Sequence, residues 1–295
     1  MSSKLSNLLV RKGTVAKPEE LALLAAAFRL EMFDVLYQRQ TGHWGGSSSA
    51  AELVTSLYFN RLNIRNGEPR WEDRDRFVLS KGHASINLYT ILAHRGFFSP
   101  NELLGFRTLG SMLQGHPNMK TPGVDFSTGA LGHGVSAAAG MALAARIQNK
   151  KYWTYVMVGE GCLDEGQTWE ALLFAAKYKT RGLVLMVDYN KVQLDGPSEE
   201  ILPLEPLAEK LSAFGWHLAP QAYDGHDTTE ILASYKWLDS DDIWPKAVIY
   251  NTVKGKGVSF MEGKSAWHGA PIDNDSYNKG RPELAADMDK KEAAL

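Results

Sequence analysis

Three short apolar runs rich in β-formers, Tyr152 to Val158, Leu183 to Asp188 and Lys246 to Val253, constrain this chain more than any other feature. They read as parallel core strands. A helical stretch, Leu163 to Lys179, joins the first two, and an alanine-rich helix, Val135 to Gln148, precedes them after a glycine-rich turn. Strand, helix and strand at this spacing form a βαβ unit, so the expected fold is α/β: an open, mainly parallel sheet with helices on both faces. Ligands then belong at the carboxyl ends of the strands. A shorter strand, Phe77 to Ser80, feeds the glycine of Lys81-Gly82-His83. Apolar residues at helical spacing from Glu19 to Gln40 predict an opening helix, and Ser47 to Ser49 offer helix-start chemistry for a second one over Ala50 to Asn60. The helical N-terminal region is read as part of one domain spanning 1–272. The charged stretch 273–295 is read as a peripheral helix or a loose tail.

With 295 residues, 44% of them hydrophobic, the chain can bury a full core, although length alone does not set the number of domains. Its 32 basic and 34 acidic residues are dispersed and leave a net charge of −2, with no basic stripe for nucleic acid or an anionic membrane. The single cysteine, Cys162, excludes an intramolecular disulfide and a Cys-rich zinc site. No apolar run reaches the roughly 18 residues of a membrane span, and Met1 to Lys12 is polar without a signal-peptide core. The expected location is cytoplasmic.

The strand Tyr152 to Val158 runs into Gly159-Glu160-Gly161-Cys162-Leu163-Asp164-Glu165-Gly166, and the next ends in Asp188-Tyr189-Asn190-Lys191. Glycines around a carboxylate permit a tight turn that brings a backbone N–H close to a phosphate, and the helix that follows turns its N-terminus toward negative charge. One oxygen ligand from each strand end can hold a hard cation such as magnesium, which commonly shares its shell with a diphosphate. Taken alone, Gly159 to Gly161 is an ordinary strand-to-helix turn. Asn190 and the ordered histidines change that reading.

With these residues the chain resembles the transketolases, whose thiamine-diphosphate motif is Gly-Asp-Gly followed downstream by an asparagine. Here twenty-eight residues lie between Gly161 and Asn190. Further landmarks resemble the family in order: Gly42-His43, Ser80-Lys81-Gly82-His83-Ala84, Gly115-His116-Pro117, Ser127-Thr128-Gly129-Ala130-Leu131-Gly132, Asp224-Gly225-His226-Asp227 and Trp267-His268-Gly269-Ala270-Pro271. One such motif is weak evidence; six in order are strong.

The resemblance implies a thiamine-diphosphate-binding fold and a role for each matching residue. Glu160 and Asn190 would bind Mg²⁺ by side chain and Val192 by its carbonyl. Gly161 would offer its N–H to the diphosphate, which His83 and His268 would also hydrogen-bond, while Gly129 and Leu131 would contact the aminopyrimidine. His43, His116 and His268 would line the funnel for donor sugar and move protons. Glu165, and with it Glu170, would lie at a subunit junction.

Two departures qualify the resemblance. Glu160 stands where the family has aspartate and places its oxygens roughly 1.5 Å farther out, so Ca²⁺ or Mn²⁺ is an alternative to Mg²⁺. The sequence also lacks the family's pyrimidine-binding domain. The implied protein is therefore the diphosphate-binding, N-terminal subunit of a split transketolase, joined to a pyrimidine-binding partner subunit in an α2β2 assembly. Its expected reaction is transfer of a two-carbon ketol group from a ketose donor, a sugar or sugar phosphate, to an aldehyde acceptor. The rival readings are a 1-deoxyxylulose-5-phosphate synthase-like subunit, a specialised ketol transferase and a non-catalytic scaffold. His94, His133 and His217 lack surrounding motifs and are read as structural, as is His226. Cys162, Trp44, Trp169 and Trp267 are read as packing residues.

Overall fold

The computed structural model describes residues 3–9 and 14–295; part of the polar opening stretch 1–12 lies outside them. Six strands, β1 (Arg76–Leu79), β2 (Thr154–Gly159), β3 (Leu183–Tyr189), β4 (His217–Leu218), β5 (Tyr223–Asp224) and β6 (Lys246–Asn251), form one sheet in the order β1-β2-β3-β6-β4. β5 also pairs with β6. Every pairing is parallel, with Val78, Val156, Leu185 and Ala247 in register across the first four.

Alternation along these strands explains why they read as uninterrupted apolar runs. Tyr155, Met157, Val184, Met186, Val248 and Tyr250 enter one core cluster with Leu24, Phe28 and Phe33 of the helix Pro18–Arg39. Val156, Val158, Leu185, Val187, Ala247 and Ile249 enter a second cluster, with Val135, Ala138 and Ala142 of the helix His133–Ile147. Both faces are thus covered, the condition for a parallel sheet. Each fully buried aliphatic side chain contributes about 1.5–3 kcal/mol, so Val156→Asp, which strands a charge between sheet and helix, would break the fold.

The strand boundaries lie within two residues of the expected ones, except that β4 and β5 went unforeseen, since a two-residue strand has no period. Leu163 to Lys179 is not one helix. A helical turn, Glu160–Leu163, is followed by a break at Glu165, whose ψ of 122° is extended, and the helix Gly166–Lys177 starts afresh. Ser47 to Ser49 do not cap the second helix either. They sit inside a short helix, Trp44–Ser49, where Ser47 Oγ donates to the His43 carbonyl (2.6 Å) and Ser48 Oγ to that of Gly45 (3.2 Å). Serine bonding back to its own helix satisfies the hydroxyl when the site is buried. The second helix covers only Ala51–Ser56 and passes into a π-turn, Leu57–Arg61.

Residues Asn274–Ala293 form a helix capped by Asp273, whose Oδ1 accepts the Ser276 N–H at 2.8 Å. It lies along the helix Pro18–Arg39: Tyr37 and Tyr277 stack with ring centres 3.7 Å apart, and Arg281 Nε donates to Asp34 Oδ1 (2.9 Å).

Candidate active site

Because β1, β2, β3 and β6 are parallel neighbours, their carboxyl ends open at one edge of the sheet, where Gly159 registers with Asp188 and Asp188 with Tyr250. The loops leaving that edge carry Lys81 and His83 after β1, Glu160 after β2, Asn190 to Val192 after β3 and Lys254 after β6. Asp188 is fully buried and accepts hydrogen bonds from Lys81 Nζ, Thr252 Oγ1 and, at 2.7 Å, Ser49 Oγ. Burial pushes its carboxyl up, but the Lys81 ammonium outweighs this and holds it below the usual range.

Glu160 is buried too (2% exposed), yet among the described residues no side-chain cation hydrogen-bonds it. Its Oε1 accepts the backbone N–H of Lys191, a reach that the extra methylene allows. Burial first, and then the Asp188 charge, raise its pKa to about 7. Beside it Asn190 Oδ1 accepts the Val192 N–H (3.2 Å), and the Val192 carbonyl accepts from Lys254 Nζ (3.0 Å). No cluster of three His, Cys, Asp or Glu residues suits a metal among the described residues. A cation here therefore rests on one carboxylate, one amide oxygen and one carbonyl. That all-oxygen set, with a buried carboxylate that pairs with no cationic side chain by hydrogen bond among the described residues, fits a hard divalent ion. The bond from Lys254 occupies one of the two lone pairs of Val192 O and leaves the other.

Four imidazoles meet above this edge. Ring centres lie 5.5 Å apart for His43 and His83, 5.4 Å for His43 and His268, 4.9 Å for His83 and His268, and 6.3 Å for His43 and His116. Small residues make room for them: a Cβ on Gly46 would stand 2.9 Å from His83 Nε2, and one on Gly269 would stand 3.1 Å from the His43 ring. Burial, reinforced by Arg107, His116 and Lys254, lowers His43 to about 4; burial and Lys254 lower His268 to about 3. His83 falls through burial and Lys81, and His116 through burial and Arg107. All four are neutral near pH 7, able to donate at one nitrogen and accept at the other.

The Gly129 to Leu131 loop borders this group. A Cβ on Gly129 would touch the His116 ring (3.7 Å), and one on Gly161 would touch Leu131 Cδ1 (3.4 Å). Glu165 and Glu170 stand apart from the cluster, exposed at the start and in the first turns of the helix Gly166–Lys177.

Three cations escaped the sequence reading. Lys81 was visible only as part of a glycine-histidine motif. Lys254, buried with its Nζ 2.8 Å from His268 Nδ1 and its pKa pulled down to about 8, chiefly by burial, follows the carboxyl end of β6. A lysine before glycine at a strand end was the available signal. Arg107, in the left-handed region (φ 58°), donates to Thr41 Oγ1 (2.7 Å) and packs so closely on Gly115 that a Cβ there would lie 2.5 Å from its Nε. It thus clasps the loops bearing His43 and His116, and no local sequence pattern marked it.

Lysines, amide donors and neutral imidazoles gathered at the strand ends of a parallel sheet are what a diphosphate-bearing cofactor requires, which places the protein among the diphosphate-cofactor α/β domains. A family profile described as transketolase, thiamine diphosphate binding domain, matches residues 21–293. The chain belongs to the transketolase family, of which it carries the thiamine diphosphate binding domain. It is 44% identical over 245 residues to the 6-deoxy-6-sulfo-D-fructose transketolase subunit of Clostridium sp. (strain MSTE9), covering 82% of this chain and 88% of that one. Identity to the apulose-4-phosphate transketolase subunit of Phocaeicola vulgatus is 36%, across 93% and 97% of the two chains. The crystal structure of transketolase from Campylobacter jejuni superposes with a TM-score of 0.83 at 29% identity, covering 93% of this chain but 46% of that one. The chain thus spans nearly the whole of these two relatives named as subunits and less than half of that transketolase chain.

Proposed function

We propose that this chain is the diphosphate-binding subunit of a two-subunit transketolase, which moves a two-carbon ketol group from a ketose to an aldehyde. The observation that carries the reading is the facing of four neutral imidazoles above a buried carboxylate to which, among the described residues, no cationic side chain hydrogen-bonds. Thiamine diphosphate, when bound, supplies the electron sink for the two-carbon unit. Glu160, Asn190 and the Val192 carbonyl hold its divalent ion, Mg²⁺ first and Ca²⁺ or Mn²⁺ as alternatives. The N–H of Gly161 with His83, His268, Lys81 and Lys254 receives the diphosphate, and Gly129 and Leu131 border the aminopyrimidine. His43, His116 and His268 orient sugar hydroxyls and pass protons between them; neutral rings suit both directions of a reversible transfer.

The cofactor's pyrimidine half is completed by a partner subunit, in an α2β2 assembly. Supporting that face, the helix bearing Glu165 and Glu170 also exposes Leu173 (55%) and Phe174 (40%), an apolar patch that a partner would cover. The relatives of this length are named as subunits, one acting on a sulfonated ketose and one on a phosphorylated sugar. An anionic sugar is therefore the substrate class we infer, and the cytoplasm the location. Mixing the chain with its pyrimidine-binding partner, cofactor and Mg²⁺ is expected to give ketol transfer, lost when any one is withheld. Cofactor binding without transfer for any phosphorylated or sulfonated ketose would leave only a scaffold; no cofactor binding at all would overturn the site.

A further inference from the structure

At the other end of the sheet the helix Ser85–His94 closes on Arg95, whose guanidinium carbon lies 4.9 Å from the ring centre of Phe59. The residue is 5% exposed, yet its Nε and Nη1 are buried and reach no hydrogen-bond acceptor among the described residues. Burial alone lowers its pKa, with no carboxylate among the described residues acting on it. A guanidinium nevertheless keeps its proton at any ordinary pH, so the charge stays and calls for a counter-ion. The Phe59 face and the carbonyl end of the helix each favour a cation, but neither meets the in-plane N–H fork.

Arg95 lines a cavity of about 310 Å³ with Thr14, Asn60, Arg61 and Asn63 among its neighbours, and the described lining contains no carboxylate. Arg61 is already committed, bidentate to Asp239 (2.6 and 2.8 Å) and to the Tyr155 hydroxyl (2.8 Å). Asn60 Nδ2 donates to the Val15 carbonyl at 2.9 Å. Among the described residues of the lining, Arg95 is thus the uncommitted cation. The amino ends of the strands lie close by, since the Asp75 N–H, just before β1, donates to the Asn63 carbonyl (2.9 Å). The histidine cluster stands at the carboxyl ends.

We propose that this cavity binds a phosphate group, free or as the monoester of a small metabolite, through the guanidinium of Arg95. A tetrahedral oxyanion matches the fork and leaves oxygens for the Asn63 amide and the Thr14 hydroxyl. Thermal melting of the full chain in phosphate against chloride of equal ionic strength tests it, with Arg95→Met beside the wild type. For a millimolar site, about 20 mM phosphate should raise the wild-type Tm by about 2–4 °C more than that of Arg95→Met. Phosphate held at the carboxyl ends of the strands contributes equally to both chains and cancels. Equal increments in the two chains would overturn the proposal. Should Arg95→Met fail to fold, Arg95→Lys keeps the charge but not the fork, and saturable broadening of the phosphate ³¹P resonance should weaken in it; unchanged broadening counts against the site. Glycerol phosphate replacing inorganic phosphate at lower concentration identifies the ester as the ligand, whereas the reverse order identifies the free ion.

Discussion

Seven of the eight histidines divide into two sets by what they face. His94 Nε2 meets Glu31 at 2.6 Å, His217 Nε2 meets Asp241 at 3.0 Å, and His226 Nδ1 meets Glu52 at 3.1 Å while its Nε2 accepts the Val253 N–H. His43, His83, His116 and His268 face one another and three cations instead, with no carboxylate hydrogen-bonded to them among the described residues. An imidazole against an acid spends its polarity on holding the fold. One among imidazoles and cations is kept neutral with a nitrogen uncommitted, as His43 Nδ1 shows. On the proposed function, the same residue type is thus structural or chemical according to its neighbours' charge.

That contrast is breakable. In the enzyme reconstituted with its partner, His268→Ala should lower kcat/KM by about 10³-fold with little change in the urea midpoint of the chain. A loss of stability matching the loss of activity would erase the distinction. Next in size, Glu160→Ala should weaken Mg²⁺-dependent cofactor retention by at least about 100-fold in equilibrium dialysis. The metal-free chain offers a companion test, because a carboxyl whose pKa rises on folding from 4.5 to about 7 loses stability as pH climbs through that window. Glu160→Gln should therefore gain on the wild type between those pH values, and Mg²⁺ with cofactor should reverse the gain.

In the paired set, Glu52→Gln should cost about 3 kcal/mol by urea unfolding, because it leaves the buried Arg29 without its counter-charge. Cofactor affinity should hold. The smallest effect belongs to Arg107→Met. Removing that cation lets His43 and His116 protonate more readily, so the acid limb of the kcat/KM profile should move to higher pH. A limb that stays in place would assign Arg107 to loop packing alone.

How much of this was legible follows from how far each signal reaches along the chain. The parallel sheet was readable because residues buried on two faces leave unbroken apolar runs, as at Leu183–Tyr189. The strand-end turn at Gly159 to Gly161 and the glycine-flanked histidines were readable as local turns, because tight turns and close-packed rings need small residues beside them. The break at Glu165 was not readable, since Leu163 to Lys179 keeps helical composition across it. Nor were Arg107 and the Lys81–Asp188 pair, whose partners are far apart in sequence.

The sequence by itself determined which segments are buried and which turns are tight, because burial and backbone freedom are written in local residue types. Only the tertiary structure decided which charges stand together. Whether a cationic side chain hydrogen-bonds Glu160, or His268 touches a lysine, depends on distances between loops that β1, β2, β3 and β6 bring to one edge, and such distances leave no local trace.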